Sequence, residues 1–396
     1  MSTFLELHGR RYRRPTRPTV VVCLDGSDPR YHAHAHAAED QPTLTRWWRD
    51  GFAAEADGEV PSFTNPNNLS IVTGAAPAVH GISGNYFLDP DTGAEVSMNV
   101  PTFVTATTLL RAFAERGVRV AAVTAKRKLL AMLDPGPGGV AIAIEAGGDA
   151  IASRLGRPAP DVYSADASLA VLDVGLALLA AGEAELLYLS TTDYIQHKYA
   201  PEAPEARAFY RDVDARLAAL EAAGADVVFT ADHGMNAKTT ADGAPNVLFL
   251  EPLLAAVAPR ARVTLPITDP YVLHHGSLGG AAMIYLLGEP EAAVRGALAG
   301  RPELAALMDR AEAAVTLELP PARIGDLVAL ASPSAVLGKS PAHHDLAAVA
   351  TGLRSHGGAV ERRVPLVSSR ALPPERSVPA RWRNRDAFWV ALGVDA

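Results

Sequence analysis

The stretch Thr19-Val20-Val21-Val22-Cys23-Leu24 is an apolar, β-branched run that leads directly into Asp25-Gly26. Two later stretches repeat this arrangement. Leu186–Thr192 leads into Asp193, and Asp226–Ala231 leads into Asp232. Short runs that are apolar on both faces are typical of buried parallel strands. The three stretches therefore predict strands that each end at an acidic residue.

Amphipathic helical patterns alternate with apolar runs along this part of the chain. The patterns predict helices over Ala106–Arg116, Ala167–Ala181 and Glu205–Ala223, and two further strands over Val118–Val123 and Val140–Ile144. This alternation predicts an α/β fold with a doubly wound, mostly parallel sheet. Ligands of such sheets bind just beyond the carboxyl ends of the strands. The three aspartates are expected at that edge.

The pattern changes after Asp232. Strand-like pieces cover Arg262–Leu265, Ala282–Leu287 and Asp326–Ala331, and helix-like pieces cover Glu291–Ala299 and Glu303–Ala311. We expect residues 246–331 to form a small α+β cap inserted into a catalytic core of residues 1–245 and 332–396. A Pro- and Gly-rich stretch around Ala331–Gly338 marks the linker back to the core.

The composition is that of a globular protein, with 396 residues of which 48% are hydrophobic and 20% charged. The net charge of −8 argues against a nucleic-acid or anionic-membrane surface, which needs clustered Lys and Arg. No apolar run reaches the roughly 18–20 residues that span a bilayer. The basic N-terminal segment has no apolar stretch after it, so a cytoplasmic location is expected. The single cysteine, Cys23, excludes an internal disulfide and is expected in the core.

Carboxylates and histidines fall at spacings that suit a metal ion. Asp193 and His197 are four residues apart at a helix start, so both side chains project from one face. Asp232-His233 offers the same two groups at another strand end, and Asp25 adds a further oxygen. Each aspartate alone could be a turn or cap residue, but three at equivalent strand ends argue against that reading. Asp/His ligands without cysteine leave zinc, manganese and iron open.

Thr64 lies in the segment Pro61-Ser62-Phe63-Thr64-Asn65-Pro66, which follows a predicted strand and opens a predicted helix. A threonine at a helix start is most often an N-cap. The alternative is a nucleophile: a nearby cation would lower the pKa of its hydroxyl, and the helix N-terminus would favour an anionic phosphorus centre.

Other histidines receive structural interpretations. His80 is expected in a structural turn. His32, His34 and His36 follow Pro29 in a predicted loop and are expected to face solvent.

The ordered motifs resemble the alkaline phosphatase superfamily, and within it the nucleotide pyrophosphatase/phosphodiesterase-like branch. The resemblance covers about Pro18 to Gly358. The motifs are Leu24-Asp25-Gly26, Phe63-Thr64-Asn65-Pro66, Thr73-Gly74 with Pro77, His80-Gly81-Ile82 and Gly84-Asn85, Asp193-x-x-x-His197, Ala231-Asp232-His233-Gly234-Met235 and a late His-Gly.

The resemblance implies two zinc ions per chain. It assigns one to Asp193, His197 and His356, and the other to Asp25, Asp232, His233 and the hydroxyl of Thr64. His274, His275, His343 and His344 are rivals of His356, but Ser355-His356-Gly357-Gly358 matches the last family ligand best.

Within the branch, the chain most resembles the members that hydrolyse phosphonoacetate. The features that carry this are the threonine nucleophile, the segment Thr124–Lys128 and the stretch Asp269-Pro270-Tyr271 with His274-His275-Gly276. Lys126 and Lys128 would then bind the substrate carboxylate, and Asn85 would donate to a phosphoryl oxygen. Without the resemblance, the two lysines would be a solvated basic patch and Asn85 a turn residue.

The expected reaction is hydrolysis of the carbon–phosphorus bond of a small anionic phosphonate, phosphonoacetate, through a phosphothreonine intermediate. The chief alternative is a phosphodiesterase or nucleotide pyrophosphatase with the same metal site, for which Phe63, Tyr86 and Phe87 offer stacking groups. A mutase would have to retain the phosphate, and a metal-binding protein without catalysis would not need the nucleophile. The assembly is left open, with a homodimer as the candidate.

Overall fold

Strands and helices alternate along most of the chain, whose computed structural model describes residues 4–267, 276–349, 352–374 and 376–394. The strands are β1 (Phe4–Leu7), β2 (Arg10–Arg13), β3 (Thr19–Cys23), β4 (Phe52–Asp57), β5 (Tyr86–Leu88), β6 (Glu95–Ser97), β7 (Val120–Thr124), β8 (Val140–Ala143), β9 (Leu186–Ser190), β10 (Asp226–Thr230), β11 (Asn236–Ala237), β12 (Val247–Phe249), β13 (Arg262–Thr264), β14 (Ala281–Tyr285), β15 (Leu304–Asp309), β16 (Leu327–Ala331), β17 (Val336–Gly338), β18 (Arg354–Ser355), β19 (Arg363–Ser368) and β20 (Gly393–Val394).

The α-helices of the described residues are α1 (Pro29–Ala37), α2 (Pro42–Asp50), α3 (Thr64–Thr73), α4 (Pro77–His80), α5 (Leu109–Ala114), α6 (Arg127–Leu133), α7 (Gly148–Leu155), α8 (Ala165–Ala180), α9 (Tyr194–Lys198), α10 (Pro204–Ala222), α11 (Leu250–Leu254), α12 (Glu291–Leu298), α13 (Arg310–Thr316) and α14 (Ala387–Leu392). Short 3-10 turns cover Pro101–Phe103, Ile144–Ala146, Pro321–Arg323, Pro341–His343, Ala347–Val349, Val360–Arg362 and Asn384–Asp386.

The central sheet has seven strands in the order β4-β19-β10-β3-β9-β7-β8. The five strands predicted from the sequence, β3, β7, β8, β9 and β10, run parallel to one another, and β19 is antiparallel to both its neighbours. The predicted fold class is therefore confirmed. Cys23 pairs in register with Thr230 on one side and with Ser190 on the other, so three strands end at the same level.

Helices cover both faces of this sheet because the side chains of each strand alternate in direction. Val20 and Val22 lie in a core cluster with residues of α8 and α10, whereas Val21 and Cys23 lie in a second cluster with residues of α3 and α5. Cys23 is buried as expected, and burial raises the pKa of its thiol well above the usual range. Strand β3, which leads to Asp25, is thus held by packing on both of its faces.

A second sheet, antiparallel and four-stranded in the order β13-β14-β16-β15, has its own apolar core. It contains the three strands predicted for the cap, while the division into core and cap stays a prediction. The expected helix over Glu303–Ala311 is wrong: Leu304–Asp309 is a strand paired with β16, because tertiary pairing outweighs the helix propensity of Leu and Ala. The helix begins at Arg310, where the Asp309 side chain accepts from Glu312 N at 2.8 Å.

Two loop predictions are also corrected. The Ala331–Gly338 stretch includes β17, which pairs in parallel with β12. The segment after Pro29 is helix α1 rather than a loop, since Asp28 caps it and proline suits its first turn. His32 is buried on the inner face of α1, hydrogen-bonded to Ser27 Oγ at 2.9 Å, while His34 and His36 are exposed as expected.

Among the described residues, no helix combines the length and the apolar character that crossing a membrane requires.

Candidate metal centre

Three aspartates lie just beyond the carboxyl ends of neighbouring central strands and are all buried. Asp25 follows β3, Asp193 follows β9 and Asp232 follows β10. The structure gathers their side chains with histidines from other segments. In one group, ligand atoms of Asp193, His197 and His356 lie within 4.8 Å of one another; in the other, those of Asp25, Asp193 and His233 do so.

Asp193 is the centre of the first group. It precedes α9, so His197 is one helical turn away and its Nε2 lies 2.9 Å from Asp193 Oδ2. His356, which follows β18, places its Nε2 3.6 Å from the same oxygen. Two histidine nitrogens and a carboxylate oxygen thus converge on one point, as a divalent ion requires.

The second group lies between the ends of β3 and β10. His233 Nε2 is 3.3 Å from Asp25 Oδ1 and 3.7 Å from Asp232 Oδ2. Thr64 Oγ1 is 3.3 Å from the same nitrogen. The other three residues that the resemblance assigned to this position therefore surround the Nε2 of the fourth, His233.

The three histidines share a hydrogen-bond pattern that suits metal binding. Each Nδ1 lies 2.8–2.9 Å from a backbone carbonyl oxygen: that of Arg354 for His197, of Gly234 for His233 and of Ser62 for His356. Only an N–H can donate to a carbonyl, so Nδ1 carries a proton and Nε2 is the nitrogen placed to act as a metal ligand. In all three rings, Nε2 is the atom that points at the carboxylates.

The environment of Asp25, like the histidine hydrogen bonds, indicates that these residues fit a cation. Both of its carboxylate oxygens are buried and accept no hydrogen bond from the described residues. Burial raises the pKa of Asp25 well above its usual range, and the charges of Asp193 and Asp232 add to the effect. A buried carboxylate without donors needs a positive partner. The donor set and this unsatisfied carboxylate both fit divalent ions.

The other two aspartates have hydrogen-bond or charge partners. Burial opposes ionisation of Asp193, but the neighbouring His197 and Lys126 outweigh it and hold its pKa well below the usual range. Asp232 Oδ1 accepts the backbone N–H groups of Gly26 and His233 at 3.1 and 2.9 Å. These contacts fix the rotamer of Asp232 before any ligand arrives.

Thr64 is the first residue of α3, and the N-cap position belongs to Phe63. The capping interpretation of Thr64 is therefore wrong, since Thr64 already lies inside the helix. Its hydroxyl instead faces His233 at the positive end of a ten-residue helix. That position suits a group that attacks an anion.

Sequence reasoning did not single out Asn68, which ties this helix to the metal centre. Its Nδ2 donates to Asp232 Oδ2 at 3.2 Å and to Thr64 O at 2.9 Å. Its Oδ1 accepts from the hydroxyls of Tyr188 and Ser190 at 2.6 and 2.8 Å. The sequence feature that could have identified Asn68 is its position four residues after Thr64, which places both residues on the same helix face.

The residues predicted to bind substrate lie on two sides of the centre. Lys126 immediately precedes α6 and places Nζ 3.8 Å from Asp193 Oδ1, while Lys128 is the second residue of that helix and half-buried. Asn85 Oδ1 accepts from Nδ2 of Asn65, the neighbour of Thr64, at 2.8 Å. Their roles stay predictions.

The rival histidines lie in different surroundings. His343 is exposed beside Ser340, and His344 bonds to Lys339 N and Gly276 O. The predicted rivals His274 and His275, and the Asp269–His275 stretch, lie outside the described residues. His80 is buried, as a structural residue would be, with Nε2 2.9 Å from Ser70 Oγ.

The sequence matches the type I phosphodiesterase / nucleotide pyrophosphatase family over residues 19–358. The chain belongs to this family and is a hydrolase, which confirms the predicted branch.

Among solved structures, it is 46% identical to phosphonoacetate hydrolase from Sinorhizobium meliloti 1021 over 99% of each chain, with a TM-score of 0.93. Two structures of that enzyme contain phosphonoformate and phosphonoacetate, respectively. Murine ectonucleotide pyrophosphatase/phosphodiesterase 5 is 18% identical over 95% of this chain and 94% of its own, with a TM-score of 0.63, and shares the fold.

Proposed function

We propose that this chain hydrolyses phosphonoacetate to acetate and phosphate. The observation that carries the proposal is its 46% identity, over 99% of both chains, to an enzyme solved with phosphonoacetate bound. The geometry around Thr64 and Asp193 supports it, because a hydroxyl, a cation-binding cluster and a lysine ammonium lie together at one sheet edge.

Thr64 is the proposed nucleophile. Its Oγ attacks phosphorus, the oxygen–phosphorus bond forms, and the carbon–phosphorus bond breaks with its electron pair moving to carbon. The carbanion delocalises into the neighbouring carboxylate and takes a proton to give acetate. Water then hydrolyses the phosphothreonine, which releases phosphate and restores the hydroxyl.

Two groups of converging carboxylate and histidine atoms, with Asp193 in both, support the proposed metal positions. Asp193, His197 and His356 would hold one zinc ion, and Asp25, Asp232, His233 and Thr64 would hold the other. When bound, the two ions would supply positive charge that favours the Thr64 alkoxide and offsets the phosphonate charge. The three Nδ1 hydrogen bonds to backbone carbonyls orient each ring so that its Nε2 faces the proposed metal positions.

Lys126 and Lys128 are the proposed partners of the substrate carboxylate. The 3.8 Å contact of Lys126 with Asp193 supports this, because it puts an ammonium group beside the metal cluster. Positive charge there stabilises the negative charge that reaches the carboxylate as the carbon–phosphorus bond breaks. Asn85, on the other side of Thr64, is proposed to donate to a phosphoryl oxygen.

The same argument sets the substrate range. An unactivated alkyl carbanion is a very poor leaving group, so methylphosphonate is expected not to react. The alternative substrate class is the phosphodiesters that the family description names.

The test is a direct comparison of substrates with zinc added. Acetate and phosphate released from phosphonoacetate are measured beside nitrophenol released from a nitrophenyl nucleotide diester. We expect a higher kcat/KM for phosphonoacetate. A clear preference for the diester would replace this proposal with the phosphodiesterase alternative.

A further inference from the structure

Glu361, whose side chain is fully buried, lies between the two segments that carry His233 and His356. Its Oε2 accepts the backbone N–H of Gly358 at 2.9 Å. Ser62 holds the same turn from the other side, since its Oγ donates to Gly358 O at 2.7 Å. The chain just after His356 is therefore fixed on one side by a carboxylate and on the other by a hydroxyl.

The same glutamate holds the segment after His233. Its backbone carbonyl accepts from Gly234 N at 2.6 Å, and Oε1 accepts from Asn236 Nδ2 at 2.5 Å. Asn236 also pairs in register with Ser355, the residue before His356. One residue thus bonds to both histidine-bearing segments.

Lys238 balances the charge of this glutamate. Its side chain is 1% exposed, and its Nζ lies 2.7 Å from Glu361 Oε1 and 2.9 Å from Pro333 O. Burying two charges costs desolvation free energy that their attraction often fails to recover, so a buried pair is weak evidence for a role in stability. Because this pair joins the segments that carry His233 and His356, it can instead fix the positions of those two segments relative to each other.

The bonds from Glu361 lead directly to the two imidazoles. On one side, Gly234 donates its N–H to Glu361 O and accepts the Nδ1 proton of His233 on its own carbonyl. On the other, Ser62 O accepts the Nδ1 proton of His356, while Ser62 Oγ bonds to the turn that Glu361 holds. The orientation of each ring therefore follows the backbone on which Glu361 acts.

We propose that Glu361, charge-balanced by Lys238, is a positioning residue that sets the spacing of His233 and His356 and thereby the affinity for the two metal ions. The inference rests on the proposed metal sites. The alternative is that the buried pair serves folding alone.

The Glu361→Gln variant separates the two roles. Both glutamate oxygens face donors, whereas an amide has only one acceptor, so its NH₂ must face a donor on one side. We expect zinc affinity to fall about 10–100-fold, as it does when partners of metal ligands are removed. Competition with a zinc chelator, well below the unfolding temperature, measures the affinity.

Asp214→Asn is the matched control. Asp214 is also a buried carboxylate with two donors, the backbone N–H groups of Thr43 and Leu44, but these begin helix α2 and carry no metal ligand. The control is expected to lose stability and to keep wild-type zinc affinity. An equal loss of affinity in both variants would show a general effect of destabilisation and overturn the proposal.

The Glu361→Gln variant leaves the buried Lys238 charged and without a carboxylate partner, and this unpaired charge can prevent folding. The Glu361→Gln/Lys238→Met variant removes that charge and keeps the mismatch at Gly358 or Asn236. We expect it to fold and still bind zinc about 10–100-fold more weakly than wild type. If it binds zinc as tightly as wild type, Glu361 has no positioning role. Failure of the wild type itself to bind two zinc ions would instead contradict the proposed function.

Discussion

The imidazole rings of His233 and His356 stack face to face, with centroids 3.6 Å apart and planes 6° from parallel. Burial lowers the pKa of His356 well below its ordinary value, and the neighbouring His233 adds to the effect. His356 is therefore held neutral, with an Nε2 lone pair facing Asp193. The stack joins the two groups of candidate metal ligands, so each group constrains the geometry of the other.

Removing the Thr64 hydroxyl tests the nucleophile. Thr64→Ala should lower kcat by about 10⁴–10⁶-fold, the range for loss of a nucleophile. Metal content should remain near two per chain, because the other proposed ligands stay in place. Steady-state phosphate release and elemental analysis measure the two quantities.

The control for Thr64 is Thr73→Ala, at the other end of the same helix, where the hydroxyl donates to Leu69 O and accepts from Ala75 N. It should keep most of its activity. If Thr64→Ala also retains most of its activity, Thr64 is not the nucleophile.

Replacing Lys128 tests the carboxylate pocket. Lys128→Ala should lower kcat/KM for phosphonoacetate by roughly 10–150-fold, the equivalent of the 1.5–3 kcal/mol of one charged hydrogen bond. The loss on a phosphate monoester without a carboxylate should be far smaller. Arg127→Ala, at an exposed position between the two lysines, is the matched control. An equal fall in kcat/KM for both substrates would show that Lys128 does not recognise the substrate carboxylate.

Asp25→Asn should have opposite effects on the metal-free and the zinc-loaded protein. Without metal, the neutral amide removes the cost of burying a charge and the repulsion from Asp193 and Asp232, so the variant should be more stable to unfolding than the wild type. With zinc at about 100 times its dissociation constant, the wild type gains roughly 2.7 kcal/mol per site and the order reverses. Thermal unfolding with chelator and with zinc shows both effects. A variant less stable than wild type in chelator would contradict the repulsion.

His80 should make stability depend on pH. Burial, with a smaller effect of Arg385, lowers its pKa to about 3, and its Nδ1 accepts from Ile82 N, so protonation would break that bond. Between pH 6.5 and about 3 the unfolded chain binds a proton there that the folded chain does not. Stability therefore rises with pH across this window, by up to about 1.4 kcal/mol per pH unit.

The measurement is urea unfolding of wild type and His80→Gln at pH 7.5 and pH 5.5 with a chelator present. The advantage of the wild type over the variant should shrink at the lower pH. An advantage that is equal at both pH values would contradict a neutral, buried His80.

The sequence predicted the central sheet well because a buried parallel strand leaves a local pattern. Thr19–Leu24, Leu186–Thr192 and Asp226–Ala231 are apolar on both faces, and their ends are set by the next polar residue. The same patterns placed three aspartates at one edge. The Glu303–Ala311 prediction failed because Leu and Ala fit a helix locally, whereas pairing with β16 is a tertiary effect that the segment itself does not encode.

Residues that support the centre were harder to predict than residues that form it. Asn68 and Glu361 act through partners more than a hundred residues away in sequence, such as Asp232 and Asn236. His32 was misplaced for the same reason, since its burial depends on contacts such as that with Phe229. Only Asn68 has a local signal, its position four residues after Thr64; Glu361 and His32 have no spacing that distinguishes them from surface polar residues.

His356 enters the centre only after the chain has passed through the second sheet and returned at β18. During synthesis the N-terminal segments leave the ribosome first, so Asp25, Asp193 and His197 emerge long before the histidine beside them. A nascent chain can assemble most of the central sheet but cannot complete either the His233–His356 stack or the Asp193 group. On the proposed function, completion of the metal sites is thus a late event in biogenesis, and a chain that stops short of β18 would lack a proposed ligand however well its first half had folded.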